Sequence, residues 1–156
     1  MTRAGWTLRT AAVALITWQS GHAMAATYPI DDRTSTPYES TTKLEWDSII
    51  PRRGAAPTLT GKMAVQVRLD VHAWQRRMGR IYLKLQNLPL GTVTATWTTH
   101  GRLLQGSVRS GERALVYSGP IQSNAIEDNL ALTIQTDGRS LTRMEQLNFS
   151  FEIDVN

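Results

Sequence analysis

The stretch KMAVQVRLDV, residues 62–71, places Met63, Val65, Val67, Leu69 and Val71 on one side of an extended chain. Lys62, Gln66, Arg68 and Asp70 fall on the other. A period of two over this length predicts a strand with one buried face, because a helix would scatter the same apolar residues around its circumference. RIYLKLQ repeats the pattern with Ile81, Leu83 and Leu85 inward, and NLALTIQT with Leu130, Leu132 and Ile134. TVTATWTTHGRLLQGSVRSGERALVYSG reads as three strands, with Val93, Ala95 and Trp97 sharing a face on the first. The most regular case is the end of the chain, EQLNFSFEIDVN. Leu147, Phe149, Phe151, Ile153 and Val155 alternate there with Asn148, Ser150, Glu152 and Asp154.

Between these runs lie turn signals. His100-Gly101, Ser110-Gly111 and Asp137-Gly138 read as hairpin turns, since glycine tolerates the positive φ that such turns need. IIPRRGAAPTL, with two prolines and a glycine, reads as a long connection, and GPIQSNAIED as a loop with Glu127 and Asp128 opening the next strand. HAWQRRMG breaks the alternation and predicts a short helical turn. KLEWD is a short strand with Leu44 and Trp46 on one face. The expectation is an all-β, immunoglobulin-like antiparallel β-sandwich of seven or eight strands, with a small closed β-barrel as the alternative. Val67, Leu69, Ile81, Leu83, Leu132 and Ile134 are expected to be buried together.

The N-terminal residues follow a different logic. MTRAGWTLRTAAVALITWQSGHAMAA carries Arg3 and Arg9, then the apolar run AAVALITW, then Ala-Met-Ala. That is the order of a secretory signal peptide over residues 1–25, cleaved after Ala25. The apolar run is far shorter than the ~20 residues that span a bilayer, so no membrane span is expected after cleavage. Residues 26–42, ATYPIDDRTSTPYESTT, have no period and read as a flexible, irregular leader to a sandwich domain at 43–156.

Processing also changes the charge. Removing Arg3 and Arg9 from 17 basic residues leaves fifteen against 13 acidic ones, near +2. WQRRMGR is one local basic cluster, but no nucleic-acid motif accompanies it, so nucleic acid is not an expected partner. The chain has no Cys, which excludes a lipobox, thiol catalysis and Cys-ligated metals.

Candidate chemistry is sparse. The mature chain holds His72 and His100, in neither a nucleophile motif nor a metal-ligand spacing. The pairs Asp31-Asp32 and Glu45-Asp47 read as solvated acids, and Glu127, Asp128 and Asn129 lack the spacing of a calcium loop. No catalytic residue, metal ligand or cofactor is therefore expected. Trp74, beside Arg76 and Arg77, is the candidate ligand-binding group: it either stacks on a sugar or caps an open end of the sandwich.

An exported β-sandwich of this length, ending on the amphipathic strand of Leu147, Phe149, Phe151, Ile153 and Val155, resembles fimbrial subunits of the chaperone–usher class. The resemblance covers the sandwich only. It implies a C-terminal strand engaged by a periplasmic chaperone and a sheet completed by strand addition from a partner. The chain departs from that class in its leader, where Pro29 and Pro37 each remove an amide donor, and in its Asn156 ending, which lacks the usual aromatic and glycine. Those departures imply a minor or accessory component rather than a shaft subunit. The expected function is non-enzymatic protein–protein contact in a pilus or cell-envelope assembly at the periplasm or cell surface. A carbohydrate-binding module with a glycan partner is the alternative.

Overall fold

A computed structural model describes residues 26–38, 44–46, 57–87, 92–138 and 147–155. The signal peptide expected at 1–25 lies outside them. Ten strands appear in chain order: β1 (Ala26–Pro29), β2 (Thr36–Pro37), β3 (Leu44–Trp46), β4 (Thr58–Asp70), β5 (Met78–Leu85), β6 (Val93–Thr99), β7 (Gly106–Arg109), β8 (Arg113–Pro120), β9 (Ala125–Asp137) and β10 (Phe149–Val155). They build two antiparallel sheets that do not close into a barrel. The first has the order β1-β10-β5-β8. The second has the order β2-β4-β9-β6-β7, with β3 also paired to β4. The protein is thus an antiparallel β-sandwich.

The alternating residues pack against one another across the two sheets, since a one-sided apolar sheet must bury that side on another layer. Val67, Leu69, Ile81, Leu83, Leu132 and Ile134 all lie in one buried cluster, with Trp97, Phe151, Ile153 and Val155. Trp97 is 1% exposed and still satisfies its indole, whose Nε1–H donates to the Leu104 carbonyl at 2.9 Å. Trp46 on β3 is 54% exposed. Its strand pairs with β4, and the indole lies against Gly138, where any side chain would collide with it.

Connections differ from the hairpins expected at two places. The turn at Ser110-Gly111, with Gly111 at φ 84°, carries the chain from β7 in the second sheet to β8 in the first. The residues after Asp137-Gly138 likewise lead from β9 in the second sheet to β10 in the first, with 139–146 outside the described residues. Local turn chemistry sets the backbone conformation at a glycine, but not which sheet receives the next strand. The expected helical turn is present as a 3-10 turn at His72–Trp74.

Two long strands extend past their expected ends. β4 begins at Thr58, inside the segment read as a connection, and β9 begins at Ala125, inside the segment read as a loop. They pair along their whole length, from Thr58 opposite Asp137 to Asp70 opposite Ala125. In β9 an inward position is occupied by Asp128, which hides the alternation. Its buried carboxylate accepts the N–H of Leu103 at 2.8 Å and of Asn129 at 2.7 Å. It thereby holds the β6–β7 connection against the sheet, and a buried carboxylate needs such donors.

The largest departure is the leader. Residues 26–42 were expected to be irregular, yet Ala26–Pro29 pairs with β10 and Thr36–Pro37 with β4. Between them Ile30 is buried, and the Asp70 N–H donates to the Asp31 carbonyl at 3.0 Å. The leader therefore crosses from one sheet to the other and lines an edge of each. Residues ahead of position 43 thus belong to the sandwich, correcting the expectation of a flexible leader over 26–42.

Candidate functional site

The C-terminal strand is the natural starting point, because its pattern is the strongest in the chain. Phe151, Ile153 and Val155 are buried, while Leu147 and Phe149 are half-buried against the same core. The whole apolar face is thus spent on the sandwich. On one side β10 pairs with β5 over all seven residues, from Phe149 opposite Leu85 to Val155 opposite Gly79. On the other side it pairs with β1 only from Glu152 to Val155, and the Ile30 N–H adds one bond to the Phe151 carbonyl at 2.9 Å. Beyond that point no strand among the described residues lies beside the Phe149 edge.

The outer face of this sheet is charged and cross-linked. Arg113 meets Asp154 with two hydrogen bonds of 3.2 Å and lies over the Tyr82 ring, 4.2 Å from its centroid. Lys84 reaches Glu152 at 2.8 Å, and the Thr27 hydroxyl donates to Asp154 at 2.6 Å. Burial pushes the Asp154 carboxyl up, but the hydrogen bonds from Thr27 and Arg113 and the fields of Arg113 and Arg80 outweigh it. The carboxyl ends below its ordinary value. Asp154 thus links three strands: β1 through Thr27, its own β10, and β8 through Arg113.

The cover strand β1 is slight by comparison. All four of its residues are exposed, and Pro29 turns its nitrogen to the free edge, away from β10. Besides its backbone bonds it is held by Thr27 on Asp154 and by Tyr28, whose ring lies 6.0 Å from that of Trp74 at a 40° tilt.

That contact also places the second candidate group. Trp74 is half-buried, packed on the core and against Tyr28. Its neighbours Arg76 and Arg77 are exposed, with Arg76 in the left-handed region at φ 63°. Hydrogen bonds on both sides impose that conformation: Arg76 N–H to the Ile121 carbonyl at 2.8 Å, and Ile121 N–H to the Arg77 carbonyl at 2.9 Å. Trp74 thus joins the β1 contact, while the two arginines beside it are exposed.

The histidines are apart. His72 Nδ1 lies 2.6 Å from Asp70 Oδ1, and His100 is exposed in the β6–β7 connection. Among the described residues no group of three or more His, Asp or Glu is placed to hold a metal ion, and no helix is long and apolar enough to cross a membrane. Sequence reasoning missed Thr27 and Tyr28, since nothing in ATYP alternates. The only signal that could have found them was the position of that segment just after the expected cleavage site. Compared with known proteins, the chain matches no family model and no curated protein.

Proposed function

We propose that this protein is an exported, non-enzymatic β-sandwich that works through protein–protein contacts in a fimbrial or other cell-envelope assembly, at the edge of its C-terminal strand. The observation that carries this reading is the asymmetry of β10. One edge is paired along its full length to a core strand, while the other is covered by four exposed residues. An edge strand is a template for pairing with another chain, and backbone bonds to a regular strand supply affinity without a large apolar patch. A partner strand that extended past Phe151 would gain backbone bonds that β1 does not make. The lack of buried side chains in β1 favours a cover that yields.

The test is site-specific photo-crosslinking in the native periplasm, with the reactive group placed at Ser150 on β10 and, as a control, at Gln135 on the outer face of the second sheet. The expected result is a discrete adduct at Ser150 to an envelope-assembly protein, strengthened when residues 26–29 are deleted and missing at Gln135. Adducts that form equally at both positions, or none at Ser150 in the deleted form, would overturn the reading. N-terminal sequencing of the same material is expected to begin at Ala26. An intact Met1 would remove the export half of the proposal.

A further inference from the structure

At one end of the sandwich, four segments surround an open cleft of about 780 Å³: the leader crossing at 31–34, the end of β4, the 3-10 turn, and the β8–β9 connection. Its lining includes Asp31, Arg33, Asp70, His72, Gln75 and Asn124. The segments are locked to each other by backbone bonds. Asp70 N–H donates to the Asp31 carbonyl at 3.0 Å, and Val71 N–H to the Asn124 carbonyl at 2.9 Å. The walls are thus set by the fold rather than by one loose loop.

The side chains share a common arrangement: each uses one polar atom on a neighbour and keeps another. Asp70 Oδ1 accepts both the His72 backbone N–H at 3.1 Å and pairs with His72 Nδ1 at 2.6 Å, which leaves Asp70 Oδ2 and His72 Nε2. Gln75 Nε2 donates to Asn124 Oδ1 at 2.5 Å, which leaves the Gln75 carbonyl oxygen and an Asn124 amide. Among the described residues these four remaining atoms make no hydrogen bond. Side chains oriented by one bond and open at the other end are pre-organised for a ligand, because less rotamer freedom is lost on binding.

Charge narrows the ligand class. Arg33 is matched by Asp31, and Arg68 on the same wall by Glu127. Hydrogen bonds from the Arg33 side chain and backbone hold the Asp31 carboxyl down to about 2, and those from His72 lower Asp70. Both therefore remain acceptors at neutral and mildly acidic pH. With both arginines paired, an anionic ligand finds no unanswered cation here, and the Asp70 carboxylate is already shared with His72. A hydroxyl, which donates and accepts at once, matches a rim that offers acceptors at Asp70 and Gln75 and a donor at Asn124.

We infer that this cleft binds a neutral sugar residue through Asp70, His72, Gln75 and Asn124. Trp74 lies on the same turn but is packed on the core and Tyr28. Recognition here is by hydrogen bonds without ring stacking, and the affinity is accordingly in the millimolar range. The inference stands apart from the contact proposed at β10, since none of these four residues lies on β1 or β10.

The test is a titration of the processed, ¹⁵N-labelled protein with the methyl glycosides of glucose, galactose, mannose and N-acetylglucosamine, followed by NMR. At least one is expected to give saturable shifts confined to the amides of residues 70–76 and 124–125. Those shifts are expected to vanish in the double variant Gln75→Ala with Asn124→Ala at an unchanged melting temperature. His72→Ala, at an exposed side chain, serves as a second variant should the double one fail to fold, with a several-fold weaker titration expected. No saturation with any of the four, or shifts that persist in the variants, would overturn the inference. So would binding of galacturonate or glucosamine in place of the neutral sugars. The Ser150 crosslink is expected to be unaffected by either variant, so the two proposals fail separately.

Discussion

The first and last strands of the described residues lie side by side in one sheet, β1 against β10, and they reach that place for opposite reasons. β10 is there because of its side chains: Phe151, Ile153 and Val155 are buried, and any other placement would leave them in water. β1 is there because of its backbone. Its residues Ala26, Thr27, Tyr28 and Pro29 are all exposed, and what they answer is the row of unpaired N–H and C=O groups that β10 presents. A strand inserted by apolar burial is costly to remove, whereas one laid on an edge by hydrogen bonds is worth little net, about 1 kcal/mol per bond after water is replaced. The same sheet thus joins a strand held by its buried side chains to one held at the edge mainly by hydrogen bonds.

This contrast can be broken most severely at β10. Deleting residues 147–156 is expected to abolish cooperative unfolding, because it empties the core of the first sheet between β5 and β1. A far-UV spectrum and thermal melt with a native-like transition would show that β10 is not integral. Truncating single core residues comes next. Phe151→Ala on β10 and Leu83→Ala on β5 are each expected to cost about 2–5 kcal/mol, the range for large-to-small changes in packed cores, measured by urea denaturation. A midpoint unchanged for either would mean that the face assigned to the interior is wrong.

Deleting residues 26–29 is expected to act more gently. The domain stays folded with a lower melting temperature, and hydrogen exchange speeds up at the amides of Ile153 and Val155, which face β1. Equal protection there with and without the segment would sink the idea of an edge cover. Smallest of all is the side-chain tie. Thr27→Val removes the bond to Asp154 and is expected to destabilise by less than about 1 kcal/mol, as for exposed polar pairs. Its clearer signature is in pH. The Asp154 carboxyl sits below its unfolded value, so it adds stability at neutral pH and withdraws it as acid protonates the folded form. The stability lost as pH falls below the ordinary carboxylate value of 3.8 and through the lower folded one is expected to shrink in Thr27→Val and more so in Asp154→Asn. An unaltered pH profile in both would deny that tie.

How much of this was legible depends on where the determining interaction lies. The alternation of residues 62–71, 81–85, 93–97, 130–134 and 147–155 by itself determined which stretches are strands and which side of each is buried. Period-two burial is a property of the strand's own residues, and Val67, Leu69, Ile81, Leu83, Leu132 and Ile134 occupy the core as that period requires. The short helical turn after Val71 was also visible, because HAWQRRMG interrupts the pattern. The candidate site was legible only on the β10 side. The inward role of Asp128 was not legible, since a carboxylate at such a position is acceptable only once the Leu103 amide is brought to it from a remote connection to join that of its neighbour Asn129.

The leader shows the limit most directly. Nothing in ATYPIDD or STP distinguishes a strand from a loop, since its pairing partners, residues 152–155 and 65–66, are remote in sequence. The same holds for the cleft that joins Asp70, His72, Gln75 and Asn124 from separate segments, and for the turns at Gly111 and Gly138 that change sheets rather than reverse within one. Burial periodicity is local and can be read along a chain. Edge pairing, the satisfaction of buried acids and the order of strands depend on which backbone and side-chain groups other segments leave unmet, and only the assembled sandwich decides that.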